Sequence, residues 1–309
     1  MTLTPQTQTK LYHLDKYINE LIDLYDKNIL PNKILLSGQK GLGKSTMVYH
    51  FINLILSRNE DFPYDKKNFS INDNNKSYKL MLNQTLPNFH LIDVKDEKKN
   101  IDINQIRDLI RYSNKSSFND KSKFILIDNI EFLNLNATNA LLKIIEEPNL
   151  GVNFFLINNN KKILPTLRSR CLEFKIYLKH KECIEIINKI INLNILDIVN
   201  HDLINPYQTQ GNLYKLYLLS KEFDIDLKNI SLKVFLKKII DEKYYRKKSY
   251  IKKIILEYIE MFFLRKSYDL NNNFFQLYDH FLESSKNMDK YNLDDESFFI
   301  EFKSKVLNG

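Results

Sequence analysis

Three of the six glycines in this 309-residue chain fall within six positions, at Gly38, Gly41 and Gly43. They lie in the run Ser37-Gly38-Gln39-Lys40-Gly41-Leu42-Gly43-Lys44-Ser45-Thr46, which fits the phosphate-binding loop pattern G-x-x-x-x-G-K-[ST]. That pattern constrains the fold strongly, because it works only between a strand and a helix. An apolar run, Ile34-Leu35-Leu36, precedes it, and apolar residues at helical spacing (Met47, Val48, Phe51, Ile52, Ile55, Leu56) follow. Glycines let the backbone turn its N–H groups inward as an anion nest, and the helix N-terminus adds positive dipole. On this reading Gly38, Gly41, Gly43 and Thr46 line the phosphates, Lys44 reaches the β- and γ-phosphates, and the Ser45 hydroxyl meets Mg²⁺. Such a match by chance is rare even at the usual glycine content of roughly 7%, and here glycine is scarcer.

Strand-like runs at Lys33–Ser37, Phe89–Asp93, Lys123–Asp128, Asn153–Ile157 and Leu172–Ile176 alternate with helical patterns at Lys44–Leu56, Ile103–Tyr112 and Ala137–Ile145. Alternation of this kind predicts an α/β domain over 1–176 with a five-stranded parallel sheet covered on both faces. The Asn-rich stretch Arg58–Leu86 shows no clear period and reads as a surface insertion, partly mobile. Beyond Leu178 the strand signal stops. A small helical unit is expected over 177–224 (Lys181–Leu193, Gly211–Phe223). An all-α domain is expected over 225–309 (Ser231–Ile240, Tyr250–Phe263, Asn273–Lys286, Asp294–Val306). The stripe Tyr250, Ile254, Ile255, Tyr258, Ile259, Phe262 and Phe263 reads as core or subunit interface.

Hydrophobic content of 43% with 27% charged residues describes a globular chain, and no apolar run is long enough to span a membrane. The stretch Met1–Lys10 has no basic segment followed by an apolar one, so a cytoplasmic location is expected. Two cysteines, Cys171 and Cys183, make neither a disulfide framework nor a four-ligand zinc site. Net charge is +8, but only seven of the 46 basic residues are Arg and Asn and Ile abound. Lys enrichment then reflects overall compositional drift as well as any nucleic-acid surface.

Lys123-Phe-Ile-Leu-Ile-Asp128 has the form of a Walker B strand, which assigns Asp128, with Ser45, to Mg²⁺. The next residue is Asn129, whose amide cannot take a proton from water, and the nearest acid beyond it is Glu131. An amphipathic helix follows, Asn139-Ala-Leu-Leu-Lys-Ile-Ile-Glu146-Glu147, ended by Pro148. Arg168 and Arg170 then flank Ser169, ahead of Cys171. Arg170 follows the fourth strand and is expected at the far side of the sheet from its own phosphate loop. Two readings stay open for it: an ordinary salt-bridge arginine, or a finger on a neighbouring subunit's γ-phosphate.

The order of P-loop, Walker B aspartate, helix ending Glu146-Glu147-Pro148, and Ser169-Arg170-Cys171 resembles the clamp-loader branch of AAA+ proteins, and within it the delta-prime subunits of bacterial DNA polymerase III. The resemblance is strong over 10–176 and loose beyond, where Asn292-Leu293-Asp294 fits. It implies an AAA+ domain (1–176), a helical lid (177–224) and a helical collar (225–309) that joins subunits. The implied partners are the gamma/tau motor and delta subunits in a hetero-pentameric ring, and, through that ring, the sliding clamp and primed DNA. The implied role is a stator whose Arg170 completes the ATP site next door. ATP or ADP with Mg²⁺ is the implied cofactor, and sensor 1 falls at Asn158, to within one residue.

Three departures bear on activity. Asn129 replaces the usual Walker B glutamate. Asn212, in Gln210-Gly211-Asn212, stands where many such chains carry a sensor-2 arginine. Residues 57–88 hold no Cys, so the zinc module common at that place is not expected. Little intrinsic ATPase and no polymerase chemistry follow. The alternatives are an active gamma/tau-like motor or other AAA+ ATPase using Glu131, and a DNA-binding P-loop protein outside any clamp loader.

Overall fold

The computed structural model describes residues 3–95, 98–115, 121–266, 272–291 and 294–308. Met1 and Thr2 of the N-terminal stretch, and Asn292 and Leu293 of the C-terminal segment, lie outside them. The chain divides into two compact units, Met1–Glu182 and Cys183–Gly309.

The first unit runs α1 (Asp15–Asp26), β1 (Lys33–Ser37), α2 (Lys44–Leu56), α3 (Lys76–Leu82), β2 (Phe89–Ile92), α4 (Ile103–Asn114), β3 (Lys123–Ile127), α5 (Leu135–Glu146), β4 (Val152–Asn158), α6 (Pro165–Arg168) and β5 (Leu172–Lys175). All five strands are parallel, as the alternation of elements predicted, and the structure orders them β2-β3-β4-β1-β5. Side chains alternate across the sheet with period two. Ile125, Ile127, Phe154 and Leu156 join the core made with Ile106 and Leu109 of α4 and Leu141 and Ile145 of α5. Phe124 and Phe155 point the other way, with ring centroids 6.1 and 5.4 Å from Phe51 of α2. Tyr25 of α1 closes that side against Phe51 at 6.0 Å. From Met47 to Leu56 every residue of α2 is buried, so this helix is a core element rather than an amphipathic cover.

The segment after α2 is folded, contrary to its reading as a largely irregular surface insertion. Tyr64, Ile71, Tyr78 and Met81 are buried. Asn75 caps α3 by accepting from the Tyr78 amide at 2.7 Å, while its own amide donates to the Phe62 carbonyl at 2.8 Å. Asn53 on α2 donates to the same Asn75 oxygen at 3.0 Å. His50, fully buried on α2, ties the segment to the N-terminal stretch: Nε2 donates to the Gln8 carbonyl and Nδ1 accepts from the Tyr64 hydroxyl, both at 2.9 Å. A carbonyl can only accept, which fixes the tautomer.

Burial lowers the His50 pKa to about 4. The folded value lies below the unfolded one, near 6.5, so the unfolded chain binds the extra proton between them. Stability that is complete above pH 6.5 is therefore lost as pH falls toward 4, by about 3 kcal/mol at 1.36 kcal/mol per unit. Urea melts at pH 7 and pH 4 should show this loss in the native chain and a smaller one in His50→Gln. Equal acid sensitivity of the two chains would refute the assignment.

The second unit is helical: α7 (His180–Ile191), α8 (Ile195–Ile198), α9 (Gln210–Phe223), α10 (Leu232–Asp241), α11 (Ser249–Lys266), α12 (Asn272–Tyr291) and α13 (Asp295–Phe302). One core runs through it. Leu213, Leu216 and Leu219 of α9 join Phe235 and Ile239 of α10, Ile255 of α11 and Phe299 of α13. The apolar stripe of α11 is core: Ile254, Ile255, Tyr258, Ile259, Phe262 and Phe263 are all buried there. No described helix is long and apolar enough to cross a membrane.

Candidate phosphate-binding site

Parallel strands bring their carboxyl ends to one edge of the sheet, which is where α/β folds bind ligands. Here that edge collects Gly38 after β1, Asp93 after β2, Asp128 after β3 and Asn159 after β4. A Cβ on Gly38 would lie 2.4 Å from the Ile176 carbonyl oxygen, so only glycine permits the loop to leave β1 beside β5. Gly41 and Gly43 take φ of +89° and +84°, the left-handed turn an anion nest needs, and Gly43 caps α2. Thr46 lies in the first turn of α2.

Lys44 opens α2 with 3% of its surface exposed. Its ammonium donates to the carbonyls of Gly38 and Gln39, each at 2.7 Å, and to Asn159 Oδ1 at 3.0 Å. Burial lowers its pKa to about 8, against the opposing pull of Asp128 and Glu131. The Ser45 hydroxyl donates to Asp128 Oδ2. Burial pushes the Asp128 carboxyl up, and the hydrogen bond from Ser45 works against that rise. A hydroxyl and a carboxylate so paired, next to a buried lysine, are the donor set a phosphate-bound Mg²⁺ takes.

Asn129 sits at φ +56°, and this left-handed residue starts the tight turn Ile130–Phe132. The turn brings Glu131 back to the site, where Asn159 Nδ2 donates to Glu131 Oε1 at 2.8 Å. The second Asn159 amide proton goes to Asn129 Oδ1 at 2.9 Å, which also accepts from Lys40 at 3.2 Å. Asn129 donates in turn to Asp93 Oδ1 at 2.7 Å. Sequence reasoning passed over Asp93 and reached Asn159 only through the one-residue latitude on sensor 1. Acidic residues ending strands were the available signal for Asp93.

The structure does not bring Asn158 to Lys44. Paired with Ser37 as the last residue of β4, Asn158 folds its amide onto Lys161, accepting from its N–H at 3.1 Å and donating to its carbonyl at 3.0 Å. Asn159, one residue on, faces the lysine instead. The reason is strand alternation: a shift of one residue reverses the face. Asn212 donates to Glu257 Oε2 at 3.2 Å, within the second unit. Among the described residues, no group of three or more His, Cys, Asp or Glu is placed to hold a metal ion.

Arg170 is elsewhere. Leu172 pairs with Ile34 and Lys175 with Ser37, so Arg170, two residues before β5, lies at the amino edge of the sheet. Five residues at about 3.3 Å each put it on the order of 15 Å from the loop-bearing edge. Its Nη2 pairs with Glu146 Oε1 at 2.6 Å and its Nη1 donates to the Thr166 carbonyl at 2.8 Å. The helix ending Glu146-Glu147-Pro148 and the Ser169-Arg170-Cys171 triplet thus meet in one ion pair. Arg168 instead grips Glu173, with Nε and Nη2 at 2.9 and 2.7 Å from Oε2. Burial pushes the Cys171 thiol up to about 11, which leaves it protonated and inert.

A parallel sheet with this loop, a buried lysine and a Ser45–Asp128 pair defines an α/β P-loop protein. Residues 13–180, more than half of the chain, match the family model described as DNA polymerase III, delta subunit, and the chain belongs to that family as a delta-prime-like member. It is 29% identical over 140 residues to a DNA polymerase III subunit delta' of Pseudomonas aeruginosa, covering 45% of this chain and 41% of that one. To a subunit delta' of Buchnera aphidicola it is 30% identical over 189 residues, 61% of this chain and 55% of that one. A Buchnera aphidicola subunit gamma is 34% identical over 149 residues, 46% of this chain and 39% of that one. The chain spans about half the length of the curated relatives it matches.

Proposed function

We propose that this chain works as the stator of a clamp loader in DNA replication, in the cytoplasm, holding nucleotide without turning it over. In that reading residues 177–224 act as lid and 225–309 as collar. Its partners are gamma/tau motor subunits and delta in a five-membered ring, which opens a sliding clamp and places it on primed DNA.

The observation that carries the reading is the position of Arg170, at the sheet edge opposite its own Lys44 loop. A guanidinium so placed acts on a phosphate outside its own subunit or on none. Bound to Glu146 by one arm, it is already oriented at the surface. Asn129 supports the same reading, since its amide cannot polarise water and is engaged by Asp93 and Asn159. Gly38, Gly41, Gly43, Lys44 and Thr46 would hold the phosphates, and Ser45 with Asp128 would hold a Mg²⁺ that neutralises phosphate charge.

The test is assembly. Mixed with the motor and delta subunits of its own organism and passed over a sizing column, the chain should elute in one stoichiometric complex. Elution apart from them, with each partner folded, would end the stator reading.

A further inference from the structure

We propose that Glu146 is the positioning residue for Arg170: from the last turn of α5 it grips one arm of the guanidinium and holds the rest of the fork ready for a phosphate on a neighbouring subunit. This role rests on the reading of Arg170 as a finger acting in trans.

Helix physics gives no local reason for an acid at position 146. Glu146 is the last residue of α5, and Pro148 forces Glu147 out of the helix at φ −126°, ψ 73°. A carboxylate there faces the negative end of the helix dipole, where a cation is favoured, and Glu147 adds a second acid. Arg170 supplies the cation, yet the pair does little for folding. Its side chains are 35% (Arg170) and 49% (Glu146) exposed, and ion pairs this open to water stabilise a fold only slightly. What the pair does fix is the direction of the guanidinium.

Both residues stand on anchored backbone. Leu141 and Ile145 bury the final turns of α5 in the core. Leu167 is buried under α6, and the Arg170 N–H donates to its carbonyl at 3.3 Å. An arginine carries five N–H donors in a planar fork. Nη2 gives one to Glu146 Oε1 at 2.6 Å, and Nη1 gives one to the Thr166 carbonyl at 2.8 Å. Among the described residues these two contacts hold the fork, which leaves Nε–H and the second proton of each Nη to an acceptor outside the chain. A long side chain held beforehand gives up less freedom when that acceptor arrives. Without Glu146 the fork hangs on Thr166 alone and swings about that one bond. Freezing it again costs roughly fivefold in rate at the site that Arg170 completes.

Steady-state ATP hydrolysis by the assembled ring, with clamp and primed DNA present, tests this with variants of the full chain first shown to elute in the complex. Glu146→Ala should remove about four fifths of the turnover that Arg170→Ala removes, the share a fivefold slower site gives up, with the half-saturating ATP concentration unchanged. Glu146→Gln keeps the acceptor and drops the charge, and should remove roughly half of that turnover or less. Glu147→Ala should remove none. Should Glu146→Ala stay out of the complex, Glu146→Met, of like length and without the acceptor, takes its place. Native or faster turnover in Glu146→Ala overturns the positioning role, and so does a loss that appears only as a higher half-saturating concentration. Equal losses with Ala and Gln, or with Glu147→Ala, overturn it too, because the effect would then belong to charge at the helix end rather than to the grip. Native turnover in Arg170→Ala would instead overturn the finger reading beneath the proposal.

Discussion

Replacing Arg170 by Ala should leave the isolated chain's nucleotide affinity unchanged while silencing one ATP site in the assembled ring. The first half follows from register. With Leu172 opposite Ile34 and Lys175 opposite Ser37, the length of β5 separates Arg170 from its own loop. The second half follows from what an arginine finger contributes, on the order of 10³-fold or more in the rate of the site it completes. A ring with several sites would lose the share of turnover belonging to that one, measured as phosphate release in the presence of clamp and primed DNA. Arg170→Lys should not restore it, because a point charge on a flexible stem does not reproduce the planar fork. A ring that hydrolyses ATP normally with Ala at 170 would make Arg170 an ordinary partner of Glu146.

The second large effect belongs to Lys44. Its ammonium is buried and donates to Gly38 O, Gln39 O and Asn159. Lys44→Ala removes the charge at the centre of the nest. A hydrogen bond to a charged group is worth about 1.5–3 kcal/mol, so nucleotide affinity should fall on the order of 100-fold. Calorimetry measures the loss, and circular dichroism confirms that the sheet persists. Retained affinity in a folded Lys44→Ala chain would place nucleotide elsewhere. Ring assembly should survive the change if the chain is a stator, since its partners then need its surfaces more than its nucleotide.

Much of the first unit was legible because its signals are local. The five strands and the α2, α4 and α5 helices announce themselves through apolar runs and helical spacing, and the glycine loop through composition. Three helices escaped, the four-residue α6 among them. In α1 the signal was present, with Ile18, Leu21 and Ile22 at helical spacing and all buried. In α3 it was masked, because Asn75 caps the helix from within an Asn-rich run that reads as irregular. The capping role of one asparagine among several depends on which of them meets Asn53 and Phe62.

The lid and collar spans were read as separate helical groups. Their apolar faces close on one another in a single core, which helical spacing alone does not specify.

The sequence by itself determined that this chain carries a phosphate loop between a strand and a helix. It also determined that an aspartate ends a buried strand beside the loop, that asparagine and not glutamate comes directly after it, and that an arginine precedes the last strand. These properties reside in residue type and short-range spacing, where glycine conformation and helical or strand periodicity act. Only the tertiary structure decided which asparagine meets Lys44 and which acid that asparagine holds. The left-handed turn at Asn129 swings Glu131 inward, and strand alternation at the end of β4 turns Asn158 away and Asn159 in. It also joined Glu146 to Arg170 across 24 positions of sequence, because β5 pairs with β1 and so carries the arginine to the opposite edge. Facing depends on a register of one residue and on pairings between distant strands, and neither is written in any local stretch of the chain.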